Sequence, residues 1–141
     1  MDEPFGLERF VAAQDRGGTY DAALAELRSG AKTGHWIWFV FPQIAGLGYS
    51  STSRYYAISS LAEAAAYLAH PVLGPRLHEC ARALLEVRGR SAVQILGGTD
   101  AQKLRSSMTL FHHADPDAAA FRAVLDRYFD GATDPETDAR L

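Results

Sequence analysis

An all-α fold in a single compact domain is what this sequence predicts, and three observations predict it. Apolar residues recur at three- and four-residue spacing along most of the chain, glycine or proline closes each run, and only one short segment favours strand. A chain of 141 residues supports a core without metal or disulfide staples, since roughly 150 residues remove about 68–70% of the unfolded surface from water. We expect residues 1–130 to form that helical domain and residues 131–141, rich in Asp, Thr and Gly, to be a loosely held C-terminal tail.

The elements follow from local signals. Phe5, Leu7, Phe10 and Val11 give a first helix an apolar face, ended at Gly17-Gly18. Thr19 then reads as the N-cap of a second helix, with Tyr20, Leu24 and Leu27 at helical spacing and Gly30 as its stop. Ser60 with Glu63 reads as a capping box opening a helix through Ala69, which His70-Pro71 ends. Pro71 or Pro75 occupies the first turn of the next helix, where Leu77, Ala81, Leu84 and Leu85 form a stripe closing at Gly89. Ser91 to Leu96 is a short helix broken by Gly97-Gly98. Thr99 or Asp100 caps another that reaches about His113, and Asp115-Pro116 opens the one carrying Phe121, Val124, Leu125 and Tyr128. The strand-favouring segment, His35 to Phe41, reads as a buried helix turn, because a lone strand would have no partner.

Composition excludes several classes of function. Acidic residues outnumber basic ones 17 to 14, giving a formal charge of −3, and a pI near 5.9 argues against a generic nucleic-acid surface. Cys80 is the single cysteine, so no intramolecular disulfide forms, which suits a reducing compartment. The best candidate for a membrane span, the charge-free stretch from Thr33 to Ser53, is interrupted by Gly34, Pro42, Gly46 and Gly48, whereas a span needs about 20 predominantly apolar residues. The acidic N-terminus lacks a signal-peptide pattern. The expectation is a cytoplasmic protein, by default a monomer, that takes a small-molecule ligand but no nucleic acid, membrane or cofactor.

Two stretches carry candidate chemistry. Gly97 to Phe111 places glycines and hydroxyls at a helix start, where exposed N–H groups and the helix dipole favour an anion; the P-loop spacing is absent. At about 100° per residue, with Asp100 at zero, Phe111, Leu104, Met108 and Leu110 outline an apolar arc that also contains Lys103 and Ser107. A lysine on such an arc is either salt-bridged and snorkelling or faces a ligand. The second stretch holds both tryptophans: His35, Trp36, Trp38 and Gln43, then a Gly-Ser loop with Arg54, Tyr55 and Tyr56. Aromatic faces beside Gln, Arg and His suit a base or sugar ring, although a tryptophan-packed core with a polar surface loop explains the same residues. Glu63 is explained by capping, and a carboxylate near Lys103 would also make an acid/base pair. The five histidines include no pair at i and i+4 on a helix, and Cys80 reads as a small buried hydrophobe.

These residues resemble the bacterial family known as domain of unknown function 1810, whose members are often mislabelled calpastatin. The resemblance spans most of the chain, through Phe10 to Gln14, Lys32 with His35 to Gln43, Gly46 to Ser50, Tyr55 to Ile58, His70 to Leu77, and Asp100 with Lys103 to Phe111. It implies a compact all-α fold of its own type and no established activity. The calpastatin label fits poorly, since that class is extended and repetitive whereas this chain is aromatic and non-repetitive. The chain is also similar to all-α proteins that handle NAD and ADP-ribose derivatives, which pair an early helical Glu with a later helical Lys; that similarity points to Glu63 and Lys103.

The leading expectation is therefore a binder of a nucleotide, ADP-ribose-like molecule or sugar phosphate, with Thr99, Asp100 and Arg105 facing phosphate and Trp36, Trp38 and Tyr56 stacking on the ring. As an enzyme it would cleave a ribosyl N-glycosidic bond, with Lys103 stabilising the departing charge or attacking the opened sugar and Glu63 or Asp100 moving the proton. The alternatives are a non-catalytic interaction module and a ligand sensor. Convergence of Lys103, Glu63, His35 and Arg105 on one pocket discriminates between them.

Overall fold

The structure is a computed structural model in which residues 4–141 are described. Its helices are α1 Glu8–Asp15, a 3-10 turn Arg16–Gly18, α2 Thr19–Ser29, α3 Ile37–Val40, α4 Ser51–Tyr55, α5 Leu61–Ala69, α6 Leu73–Glu86, α7 Ala92–Leu96, α8 Gly98–Ala114, α9 Ala119–Phe129 and α10 Pro135–Ala139. The described residues contain no strand; an isolated parallel bridge joins Ile44 to Ile58. The fold is all-α, and no helix among the described residues is long and apolar enough to cross a membrane.

The centre of the molecule is α8, which packs against α3, α5, α7, α9 and α10. An unbroken run from Ser106 to Phe111 is buried, so this helix is covered on all sides rather than along one stripe. By contrast α6 is amphipathic, burying Leu77, Cys80, Ala81 and Leu84 while packing on α2, α5 and α9. An aromatic chain crosses the core from α1 to α9: Phe10 to Tyr67, Tyr67 to Phe111 and Phe111 to Phe121 have ring centroids 5.1, 5.3 and 5.9 Å apart.

Helix ends show where local signals decide and where they yield. Ser91 and Gln94 form a complete capping box. Ser60 accepts the Glu63 N–H, but the Glu63 carboxylate turns to Ser59 and Arg9, leaving half a box. Thr19 lies inside α2 with Gly18 at the N-cap, and its hydroxyl donates to the Arg16 carbonyl at 2.6 Å. Neither Thr99 nor Asp100 caps α8: Gly97, at φ +86°, makes the turn between α7 and α8, and both residues fall within the first helical turn. The N-cap of α9 is Ala118 rather than Asp115.

Residues 131–141, expected to be loosely held, instead fold back onto α8. Asp134 is 3% exposed and caps α10, accepting from the Thr137 N–H and hydroxyl, from Ser106 at 2.9 Å and from Gln102 at 3.1 Å. Arg105 donates to the carbonyls of Ala132 and Thr133, and His113 meets Asp138 at 2.8 Å. The Thr133 hydroxyl, foremost, and His113 hold the Asp138 carboxyl below its ordinary value against the effect of burial. An Asp-Pro pair opening a helix explains this order; the polar composition concealed it.

Candidate functional site

The short helix α3 is amphipathic within a single turn. Ile37 and Val40 point into the core while Trp38 and Phe39 remain half-buried. Opposite them stands α4, capped by Ser50, whose hydroxyl accepts the Ser53 N–H at 3.0 Å. The intervening loop is tightly packed: a Cβ on Gly48 would lie 2.5 Å from the Cβ of Ser53, so only glycine fits. Arg140 of the C-terminal segment donates to the Gly46 carbonyl at 3.2 Å and braces the same loop.

Two adjoining clefts lie between these elements. The smaller, of about 180 Å³, is lined by Trp38, Gln43, Gly46, Ser53, Arg54 and Tyr56 among others. The larger and more open one, of about 470 Å³, is lined by His35, Trp38, Phe39, Thr52, Tyr55 and Tyr56 among others. Trp38 and Tyr56 belong to both. Tyr56 is anchored from behind by Phe10, Phe39 and Tyr55, with ring centroids 5.8, 5.4 and 4.8 Å away. Arg9 fixes the end of α4, donating to the carbonyls of Tyr55 at 2.8 Å and Ala57 at 2.9 Å.

A line of alternating charge and aromatic rings ties the clefts to the start of α8. Lys103 Nζ lies 4.8 Å from the centre of the Trp38 ring and 3.9 Å from Asp100. Asp100 meets Lys32 at 2.7 Å, and Lys32 lies 5.1 Å from the Trp36 ring. Lys103 thus resolves its place on the apolar arc by ion pairing and by a cation–π contact at the back of the clefts. The indole N–H of Trp38 is buried and has no hydrogen-bond partner among the described residues.

Comparison with known proteins places the chain. Residues 4–141 match the family described as protein of unknown function (DUF1810). The chain belongs to this DUF1810 family. It is similar to the conserved hypothetical protein Rv1873 from Mycobacterium tuberculosis, whose crystal structure it matches with a TM-score of 0.95 at 51% identity, over 99% of this chain and 98% of that one. No curated protein matches it.

In this DUF1810 protein the predicted site residues divide into two groups. His35, Trp38, Gln43, Arg54 and Tyr56 come together on the clefts, with Lys103 and, through it, Asp100 behind Trp38. The others do not join them. Trp36 is 2% exposed, and its N–H donates to Glu26 at 2.9 Å, so it is a core residue and not a stacking platform. Arg105 clamps the backbone at 132–133, which removes it from phosphate duty. Glu63 is 2% exposed and held by Arg9 at 2.9 Å and by the N–H and hydroxyl of Ser59, so no acid/base pair with Lys103 forms. Ser107 is fully buried in α8, its hydroxyl without a partner among the described residues, and Thr99 is exposed at the helix start, lining neither cleft.

Sequence reasoning named Tyr55 beside Arg54 and Tyr56 but missed Phe39 as a cleft wall and Arg9 as the cation that organises α4. Phe39 was legible as a neighbour of the chosen aromatics. Arg9 carried no signal, because its five acceptors are mostly backbone carbonyls. Among the described residues no cluster of three or more His, Cys, Asp or Glu side chains is placed to hold a metal ion. Burial pushes the Cys80 thiol up to about 12, which makes it inert as a nucleophile at neutral pH.

Proposed function

We propose that the paired clefts bind a small anionic molecule built on a planar ring, in the class of nucleotides and ADP-ribose derivatives. One observation carries this reading. His35, Gln43 and Arg54 bring polar side chains to aromatic clefts and make no side-chain hydrogen bond or ion pair among the described residues. Elsewhere Arg9, Arg90, Arg105 and Arg127 are each occupied by backbone carbonyls. An uncommitted guanidinium beside aromatic rings matches the needs of a phosphate-bearing ring: stacking for the ring, a bidentate cation for the phosphate. The larger cleft alone falls in the range of about 300–1,000 Å³ usual for small-molecule sites.

Binding or sensing fits this arrangement better than cleavage of a ribosyl bond. The carboxylate paired with Lys103 is Asp100, which Lys32 already holds, and Glu63 is engaged by Arg9. The test is a thermal-shift series with near-millimolar AMP, ADP-ribose, NAD and ribose 5-phosphate on wild type and Arg54→Ala. A ligand confined to the folded state stabilises it by RT ln(1 + [L]/Kd), so weak specific binding is visible. Stabilisation by the ring phosphates that is lost in R54A supports the reading. No shift with any of them, or equal shifts in R54A, overturns it and moves the interaction-module alternative ahead.

A further inference from the structure

Gln43 differs from His35 and Arg54, the other unengaged side chains of the clefts, in being half-buried where they are exposed. It lines the smaller cleft and also a neighbouring hollow of about 190 Å³, shared with Leu47, Gln102, Ser106, Asp134 and Glu136. Within that hollow Gln102 and Ser106 both donate to Asp134. Ser53, in the cleft itself, is tied to Ser50 at 2.9 Å. The Gln43 side chain has no such tie.

Its backbone, in contrast, is held on both sides. The Ile58 N–H donates to the Gln43 carbonyl at 2.8 Å, the Ala45 N–H donates to Ile58 at 2.8 Å, and the flanking Pro42 and Ile44 are buried. A fixed backbone presenting a free, half-buried amide is the arrangement of a recognition group, because two N–H donors and a carbonyl acceptor are withheld from the protein. No carboxylate lines the smaller cleft, and Gln43 is its one side-chain amide.

We infer that Gln43 is the specificity-determining residue of this site. Its amide reads a ring edge that carries a hydrogen-bond donor beside an acceptor, as in an aminopurine or a ring carboxamide. A ring lying against Trp38 turns its edge toward the groups around the indole, and the amide pairs with that edge through two hydrogen bonds. This inference rests on the binding role proposed above and narrows it from anionic ring compounds in general to those with a donor–acceptor edge.

The experiment compares AMP and nicotinamide mononucleotide with purine riboside 5′-monophosphate, which keeps ring and phosphate but lacks the donor, by calorimetric titration of the full chain. Wild type should prefer at least one of the first two over the third by about tenfold, the scale of one or two net hydrogen bonds. In Gln43→Leu and in Gln43→Met, which keeps the length of the side chain without its amide, that preference should shrink to within about twofold, with affinity for purine riboside monophosphate retained. Using both variants separates recognition from any loss of folding, which circular dichroism checks directly. Binding of all three ring phosphates without preference, or a preference unchanged in both variants, overturns this inference and leaves the binding role intact. Failure of every probe to bind wild type overturns both.

Discussion

Trp36 and Trp38 are two residues apart on the same short aromatic segment, yet they belong to two different kinds of region. Around Trp36 every group is engaged: its N–H donates to Glu26, which also accepts the N–H groups of Thr33 at 2.7 Å and Gly34 at 2.8 Å. Around Trp38 the side chains of His35, Gln43 and Arg54 are unengaged among the described residues, and there its own N–H has no acceptor. Arg9 and Arg54 repeat the contrast. The first is sequestered among carbonyls and Glu63 and builds the wall; the second stands at the wall with nothing to hold. His35 and Arg54 are exposed and Gln43 is half-buried, while the Trp38 N–H is buried without a partner among the described residues, so polar capacity on this side of the segment is left open to a ligand where the Trp36 side spends it internally.

The largest test of that contrast is to remove one engaged and one free charge. Glu63→Ala leaves the Arg9 guanidinium facing its carbonyls without a counter-ion in a site that is 15% exposed on the arginine side and 3% on the glutamate side. Breaking a buried pair from one side costs about 3–5 kcal/mol. Arg54→Ala, on the exposed side, should stay within about 0.5 kcal/mol of wild type. Urea unfolding of the two variants measures this directly. If E63A unfolds at nearly the wild-type midpoint, the Arg9–Glu63 pair does not hold the cleft wall in place.

How much of this was legible beforehand depended on what kind of interaction decides each feature. The helical fold, the α3 turn and the short helix opening at Ser91 follow from spacing and short-range chemistry, which sequence displays. His35, Trp38, Gln43, Arg54 and Tyr56 were legible as a constellation because residue type alone marks them as unusual together. For Trp36 the sequence left core and stacking both open, and its partner Glu26 lies only ten positions away; Glu63 and Arg105 were misplaced for a common reason. Their partners are long-range or are backbone carbonyls: Arg9 reaches Glu63 across 54 positions, and Arg105 reaches Ala132 across 27. A side chain that binds backbone leaves no complementary residue type to read. Residues 131–141 were misjudged because polarity suggested solvent, whereas Asp134 and Thr137 are buried by hydrogen bonding to α8 and to each other.

A smaller effect comes from the loop that joins α3 to α4 on the Trp38 side. In Gly48→Ala the new methyl would meet the Ser53 side chain at 2.5 Å, so either the loop or α4 shifts. Overpacking of this kind costs about 1–3 kcal/mol. Because both segments line the smaller cleft, ligand affinity should fall by more than global stability suggests. The comparison is sharpened by pairing G48A with Ser53→Gly, which removes the obstructing atoms; the double variant should recover the binding lost in the single one. Recovery of stability without recovery of binding contradicts the placement of the site at this loop.

The mildest prediction concerns pH. Burial raises the Glu26 carboxyl, but the N–H donors of Gly34, Thr33 and Trp36 outweigh it and hold the group below its ordinary value of 4.5. A carboxyl depressed in the folded state contributes stability that is complete above the unfolded value and disappears as pH falls through the folded one. Glu26→Gln should therefore be less stable than wild type at pH 7, with the gap narrowing steadily once the pH drops below about 4.5, where the wild-type carboxylate takes up its proton. Denaturation midpoints of the two proteins between pH 7 and pH 3 measure the gap. The near-ultraviolet signal of Trp36 should follow it, while ligand-induced changes at Trp38 should not. A constant gap across that range would mean that Glu26 acts by shape alone, and that the engaged tryptophan owes its position to packing rather than to charge.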